Sequence, residues 1–132
     1  MAKELILVAD DDRVIVELLT QGLRGHGYQV TAAVDAIQVM MSVRRTPPAL
    51  ILLDIMMPGG TGLEVLRRIR SNTTLGLIPV IAITASTDPE LPKKAQELGA
   101  SAFLHKPIQM DELVGTIRRL LHDPAGPPSP QV

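Results

Sequence analysis

Short apolar runs alternate with longer segments of helical periodicity along the chain. The apolar runs cover residues 5–9, 30–34, 49–53, 78–83 and 102–104. Most are rich in Val, Ile and Leu and are bounded by Gly, Pro or Asp, as strands are. The first, third and fourth show little alternation of apolar and polar positions, which predicts strands buried on both faces. The second mixes Thr with small residues, so we expect it near a sheet edge.

The segments between these runs carry apolar residues three or four positions apart, as amphipathic helices do. The predicted stripes are Val14, Leu18, Leu19 and Leu23; Ile37, Val39, Met40 and Val43; Leu63, Leu66 and Ile69; and Leu113, Ile117, Leu120 and Leu121. Thr61 with Glu64 predicts a capping box, and Asp88 before Pro89 predicts the start of a further helix that Gly99 closes. Five strand–helix repeats predict an α/β fold, a doubly wound five-stranded parallel sheet with helices on both faces.

The chain length and the composition of the last ten residues predict the domain organisation. A chain of 132 residues predicts one domain, which we assign to residues 1–122. The remaining segment, DPAGPPSPQV, holds four of the eleven prolines and little that can pack. We interpret residues 123–132 as a Pro-rich disordered tail or linker.

Composition excludes several classes of function. The chain has no Cys, which removes disulfides, thiolate metal sites and Cys nucleophiles. Thirteen basic and fourteen acidic residues give a net charge of −1, and aromatic residues are nearly absent, so we expect no direct contact with nucleic acid. No apolar run approaches the roughly 20 residues of a membrane span, and the N-terminus does not resemble a secretion signal. We therefore expect a cytoplasmic protein without membrane contact.

Polar side chains stand where the predicted strands end. The first strand runs into Asp10, Asp11 and Asp12, the third into Asp54, the fourth into Thr84 and the fifth into Lys106. In a parallel sheet these ends meet at one edge, where ligands bind. Each residue also has a simpler interpretation: an Asp before an apolar stripe caps a helix, Thr favours strands, and Lys is usually solvated.

Taken together, these groups predict a site for phosphoryl transfer. Carboxylates that crowd at low dielectric need a cation, and Mg²⁺ with oxygen ligands fits best. Lys106 and Thr84 can meet an anion beside that cation. No Ser–His or Cys–His pair serves as nucleophile, whereas Asp54 stands alone and can form an aspartyl phosphate.

Four motifs closely resemble the receiver domain of two-component response regulators. They are ILVADDD (6–12), LILLDIMMPGGTGLE (50–64), VIAITAS (80–86) and AFLHKPI (102–108), and the likeness covers residues 4 to 122. The resemblance implies a flavodoxin-like sheet with strand order 2-1-3-4-5. It also implies that Asp54 is the phosphoacceptor of a phosphorelay, supplied by a histidine kinase or phosphotransfer protein.

The resemblance assigns the remaining residues of the site. Asp10 and Asp11 would bind Mg²⁺ together with Asp54 and the backbone carbonyl of Met56. Thr84 and Lys106 would contact the phosphoryl group.

The resemblance further implies a switch. Phe103 would swing inward with Thr84 and alter the surface of helix 4, strand 5 and helix 5. That surface would bind a downstream effector or output domain, or form a homodimer. Such domains are signalling proteins, not enzymes, apart from self-catalysed phosphoryl transfer and slow autodephosphorylation. The Lys106–Pro107 bond is often cis in them.

Three other functions compete with this interpretation. A Mg²⁺-dependent phosphohydrolase would need a second Asp two residues after the nucleophile, where this chain has Met56. A dinucleotide-binding enzyme would need G-x-G-x-x-G after the first strand, where this chain has an acidic triplet. The third alternative is a receiver fold that only docks proteins and is not phosphorylated.

Overall fold

Five parallel strands and five helices alternate along the chain in the computed structural model, which describes residues 3–57 and 62–122. The elements are β1 (Leu5–Ala9), α1 (Arg13–Gly25), β2 (Gln29–Ala33), α2 (Ala36–Arg45), β3 (Leu50–Asp54), α3 (Gly62–Ser71), β4 (Val80–Thr84), α4 (Glu90–Glu97), β5 (Ala102–His105) and α5 (Met110–His122). The sheet order is β2-β1-β3-β4-β5. The predicted fold class and strand order are therefore confirmed.

The sheet separates two apolar layers. On one face, α1 and α5 pack Leu19, Leu23, Leu113 and Ile117 against even-numbered positions of β1 and β3. On the other face, α2 and α3 cover the odd-numbered positions of the same strands. Every residue of β3 and β4 is buried, as the missing alternation predicted, and β2 lies at an edge. The pairing of β3 with β4 continues to Asp54 and Ile83, so the ends of the two strands lie side by side.

Strand bounds agree with the predicted runs to within two residues. The first is identical, and the second starts and ends one residue earlier than predicted. The third includes Asp54, because its pairing with Ile83 continues the ladder to the carboxylate. The fourth begins at Val80 instead of residue 78, and the fifth extends to His105.

Two of the predicted helix stripes were partly wrong. Val14 and Leu18 in α1 are 67% and 62% exposed, and Ile37 in α2 is 67% exposed. Leu19 and Leu23 are buried instead. Adjacent helical positions differ by about 100° around the axis, so the line through Leu19 faces the sheet while the line through Leu18 faces water.

The predicted helix ends agree with the structure, with one shift. Asp12 caps α1 through bonds from the Val14 and Ile15 N–H groups. The α4 helix begins at Glu90, one residue later than predicted, although the Asp88 side chain accepts from the Glu90 N–H. The capping box at Thr61 and the tail at 123–132 lie outside the described residues.

One half-buried arginine joins the end of α3 to the segment before β4 and to the end of α4. The Arg70 guanidinium donates to the carbonyls of Gly99 (2.9 Å), Gly76 (3.2 Å) and Ile78 (2.6 Å). Burial lowers the pKa of Arg70. Gly99 has a φ of +100°, and its missing Cβ leaves the room that the Arg70 side chain occupies. Sequence reasoning missed this contact.

Candidate functional site

Three carboxylates meet at the carboxyl ends of β1 and β3. Their closest oxygens all lie within 4.8 Å of one another, and they belong to Asp10, Asp11 and Asp54. Asp10 is fully buried and Asp54 is buried, whereas Asp11 is exposed to water. Parallel pairing of β1 with β3 aligns Ala9 with Leu53, so both strands deliver their acidic residues at one level of the sheet.

An ammonium group lies between two of these carboxylates. Lys106 Nζ is 2.8 Å from Asp10 Oδ2 and 3.0 Å from Asp54 Oδ2. The Lys106 backbone N–H donates to the Thr84 carbonyl, which continues the β4–β5 ladder past the end of β5. The Lys106–Pro107 peptide bond is cis, as the resemblance implied.

The two oxygens of the Asp10 carboxylate differ in their partners. Its Oδ1 accepts from the Asp12 N–H at 2.9 Å, whereas Oδ2 has no partner with hydrogen-bond geometry. The contact of Oδ2 with Lys106 is therefore an ion pair at short distance. Burial raises the pKa of Asp10, Asp54 adds to the rise, and Lys106 and the Asp12 N–H oppose it. The net direction is upward, so the folded protein disfavours the ionised form.

Two opposing effects act on Lys106. Burial by itself would lower the pKa of this amine. The short contacts of Lys106 with the Asp10 and Asp54 carboxylates outweigh burial, so the pKa of Lys106 is raised. The amine is therefore a fixed positive charge in the cluster at neutral pH.

This donor set fits a hard divalent cation. Three carboxylates converge, and one oxygen of the buried Asp10 lacks a hydrogen bond. Divalent cations of this type prefer oxygen ligands, and carboxylates are their usual protein ligands. Asp54 Oδ1 also accepts from the Met56 N–H at 2.9 Å, which orients the carboxylate at the strand end.

The two predicted switch residues lie on β4 and β5. Thr84 is fully buried at the end of β4, one position beyond the partner of Asp54, and its Oγ1 accepts from the Ser86 N–H at 3.0 Å. Phe103 lies on β5 and packs with the small apolar cluster between α4 and the sheet. Its ring centroid is 5.2 Å from that of His105, edge to face. The role of Thr84 and Phe103 as switch residues stays a prediction.

Sequence reasoning missed a packing requirement beside the site. A Cβ on Gly62, the first residue of α3, would lie 2.4 Å from the Ile55 Cα and 2.5 Å from the Asp54 carbonyl oxygen. The Gly62 N–H also donates to the Ile55 carbonyl. Only glycine lets α3 start against the end of β3 in this way. A glycine directly after the acceptor loop was the available signal.

Comparison with known proteins identifies the family. A sequence model described as the response regulator receiver domain matches residues 6–118. The chain belongs to this family. It is 37% identical over 119 residues to the DNA-binding response regulator MtrA of Mycobacterium leprae, with 90% of this chain and 52% of that protein covered. It is 38% identical over 116 residues to the response regulator MprA of the same organism, covering 88% and 50%. The chain thus spans about half the length of the curated relatives it matches.

Solved receiver structures share the whole described fold. The chemotaxis response regulator CheY4 of Vibrio cholerae superposes with a TM-score of 0.84 at 27% identity, covering 91% of this chain and all of that one. The receiver domain of NtrX from Brucella abortus gives 0.82 at 30% identity, covering 89% and 98%. The chain is therefore a receiver domain of two-component signalling, a signalling module and not an enzyme in the ordinary sense. No helix within 3–57 and 62–122 is long and apolar enough to cross a membrane.

Proposed function

We propose that Asp54 accepts a phosphoryl group from a histidine kinase or phosphotransfer protein. One observation carries the proposal: the Lys106 ammonium touches the Asp10 and Asp54 carboxylates within 3.0 Å at the ligand-binding edge of the sheet. Asp54 is held by the Met56 N–H through one oxygen only, so its other oxygen faces the charged centre of the cluster. Receiver-family membership supports the same assignment.

The transfer balances as a single displacement at phosphorus. A carboxylate oxygen of Asp54 forms the new O–P bond while the bond from phosphorus to the donor breaks. The electron pair of the broken bond leaves with the donor, which takes up a proton. Lys106 and the Thr84 hydroxyl would then contact the phosphoryl oxygens, and positioning with charge neutralisation supplies most of the rate.

Mg²⁺ is the proposed cofactor, and Asp10, Asp11, Asp54 and the Met56 carbonyl would hold it. When bound, it neutralises charge on the acids and on the phosphoryl oxygens. The convergence of three carboxylate oxygens within 4.8 Å supports this assignment. Lys106, which contacts Asp10 and Asp54 in this structure, would then contact the incoming anion.

Phosphorylation would act on the surface formed by α4, β5 and α5. New contacts to Thr84 draw the start of the β4–α4 connection inward, and Phe103 fills the space behind it. The altered surface would bind a downstream effector or output domain, or a second copy. A cytoplasmic location belongs to the same proposal, because the kinases that would supply the phosphoryl group use cytoplasmic ATP.

The test is incubation with a small phosphodonor and Mg²⁺, followed by intact mass. We expect a gain of one phosphoryl group, loss of the gain in EDTA, and no gain in Asp54→Asn. Asp12→Asn is the matched control, because Asn caps a helix as well as Asp and this side chain already caps α1. It should take up the phosphoryl group at the wild-type rate.

Borohydride reduction of the acyl phosphate, followed by peptide mapping, separates acceptor from metal ligand. Reduction at position 54 assigns the acceptor directly. Phosphorylation of the Asp54→Asn protein, or reduction at another residue, would show that Asp54 is not the phosphoacceptor. A wild-type protein that takes up no phosphoryl group would favour the docking module without phosphorylation.

A further inference from the structure

The outer edge of β2 carries free backbone groups. On the inner side, the Gln29 N–H donates to the Glu4 carbonyl and the Ala33 carbonyl accepts from the Asp10 N–H. Successive residues of a strand direct their backbone groups to opposite sides. Val30 and Ala32 therefore direct their N–H and C=O groups away from β1, and no strand in residues 3–57 and 62–122 lies beyond them.

Local contacts limit this free edge to one short stretch. The Val34 N–H donates to Gln38 Oε1 at 3.0 Å, and the Tyr28 N–H donates to the Leu23 carbonyl. The stretch between them, QVTAA, contains no charge and no proline. Proteins usually protect an exposed edge with charges, proline or a bulge. The opposite edge strand, β5, runs directly into Lys106 and Pro107.

A groove lies beside the edge, and exposed apolar residues of α2 lie next to it. It lies between β2 and α2, where Thr31 and Ala32 face Gln38 and Met41. Met41 is 53% exposed and Ile37, one turn earlier, is 67% exposed. Neither residue packs in the core clusters, so α2 presents an apolar strip beside unpaired backbone groups.

We propose that this edge binds a second copy of the chain, with the two β2 strands antiparallel about a two-fold axis at Thr31. In this register Val30 opposes Ala32 of the second copy, and the reverse pair follows by symmetry. Each pair exchanges two bonds, so all four free groups of each copy are satisfied. The two Thr31 residues become a non-hydrogen-bonded pair on the α2 face, a favourable cross-strand pair.

Charge and shape support a self-complementary contact over another partner. The same two-fold axis runs α2 antiparallel to its copy, because α2 returns alongside β2. Asp35 caps the start of α2 and the exposed Arg45 ends it, so opposite charges meet at both ends. The two Met41 side chains then approach near the middle. A parallel or shifted partner would lose this match.

The contact is small, so we expect a weak dimer with a dissociation constant on the order of tens of micromolar. It leaves the α4–β5–α5 surface free, since β2 and β5 are opposite edges of the sheet. The inference is independent of phosphorylation at Asp54, and its tests do not depend on that chemistry.

Cysteine crosslinking tests the register, because the chain has no native Cys. Thr31→Cys pairs with its own copy at a Cβ separation of about 4.5 Å, because the pair is not hydrogen-bonded, and this is the upper end of the distance that a disulfide spans. Gln29→Cys is the matched control on the same strand and face, and its two copies would lie about 13 Å apart. We expect oxidation to give a covalent dimer of Thr31→Cys and little of Gln29→Cys. Equal crosslinking of the two variants, or none in Thr31→Cys, would overturn the proposal.

Sedimentation measures the free association. Ala32→Pro removes an outward N–H, and proline is tolerated on an edge strand where the N–H faces solvent. We expect it to weaken the dimer about tenfold or more, because two of the four bonds are lost. A wild-type far-UV circular dichroism spectrum and a cooperative urea transition report that the variant is folded. A wild-type chain that stays monomeric at millimolar concentration would reject the interface.

Discussion

Asp10→Asn should stabilise the protein in the absence of divalent cations. Asp10 is fully buried, and its carboxylate lies within 4.8 Å of two other acids. The raised pKa of Asp10, caused first by burial, means that its charged form is disfavoured in the folded state. Asn has nearly the same shape, keeps an acceptor for the Asp12 N–H and carries no charge. Removing the charge therefore removes a net penalty.

The magnitude follows from the distances. The buried carboxylates of Asp10 and Asp54, within 4.8 Å of each other, repel by about 3.5 kcal/mol at an effective dielectric constant of 20. The attraction between Lys106 and Asp10 at 2.8 Å is about 6 kcal/mol at the same dielectric constant. The attraction to Lys106 therefore exceeds the repulsion from Asp54 by about 2.5 kcal/mol, and water screens the exposed Asp11. The cost of burying the Asp10 charge, the largest cause of its raised pKa, amounts to several kcal/mol and outweighs this attraction. Lys106 keeps Asp54 as its partner. We expect a gain of at least about 1 kcal/mol in the free energy of unfolding.

Mg²⁺ should make wild type more stable than Asp10→Asn, the reverse of the order expected in EDTA. A ligand that binds only the folded state at 100 times its dissociation constant stabilises it by about 2.7 kcal/mol. Wild type should gain this amount, whereas Asp10→Asn lacks one proposed metal ligand and should gain much less. Urea unfolding in EDTA and in saturating Mg²⁺, at equal ionic strength, measures both effects.

Asp12→Asn is the control for this experiment. Its carboxylate caps α1 and lies outside the acidic cluster, so neither the stability nor the response to Mg²⁺ should change. Lower stability of Asp10→Asn in EDTA would refute the reasoning, since the ion pair with Lys106 would then outweigh burial and repulsion together.

Three further predictions concern packing and charge. Gly62→Ala should cost at least about 2 kcal/mol and slow phosphoryl uptake, because its Cβ meets backbone atoms, whereas Gly115→Ala meets nothing within 4 Å and should be neutral or stabilising. Arg70→Ala should cost about 2–3 kcal/mol in urea unfolding by leaving three carbonyls without a donor, whereas the exposed Arg68→Ala should cost under about 0.5 kcal/mol. Lys106→Met should lower stability at pH 8 in EDTA by about 3 kcal/mol. A raised folded-state pKa stabilises below the unfolded pKa, so this difference from wild type should shrink above pH 10.5.

The chemical groups of the site could be read from the sequence because each one ends a strand. Asp54 follows four apolar residues of β3, and Thr84 ends β4. Parallel strands bring such positions to one edge whatever the details of packing. Local periodicity likewise fixed the number and type of elements, since apolar spacing reports the period of a strand or a helix directly.

The sequence did not predict how each helix is rotated about its own axis. Leu18 and Leu19 are equally apolar, yet only Leu19 is buried. The choice depends on how α1 lies across β1 and on where α5 packs beside it. That arrangement joins residues about 100 positions apart, and no local pattern encodes it.

The sequence by itself determined the alternation of strands and helices, the edge strand and the acids, hydroxyl and amine of the site, because these depend on short-range periodicity and on chain direction. Only the tertiary structure decided that Lys106 touches Asp10 and Asp54, that Gly62 must lack a side chain, and that Arg70 holds the carbonyl of Gly99. Each of these contacts joins separate elements, and its distance depends on how the helices pack across the sheet.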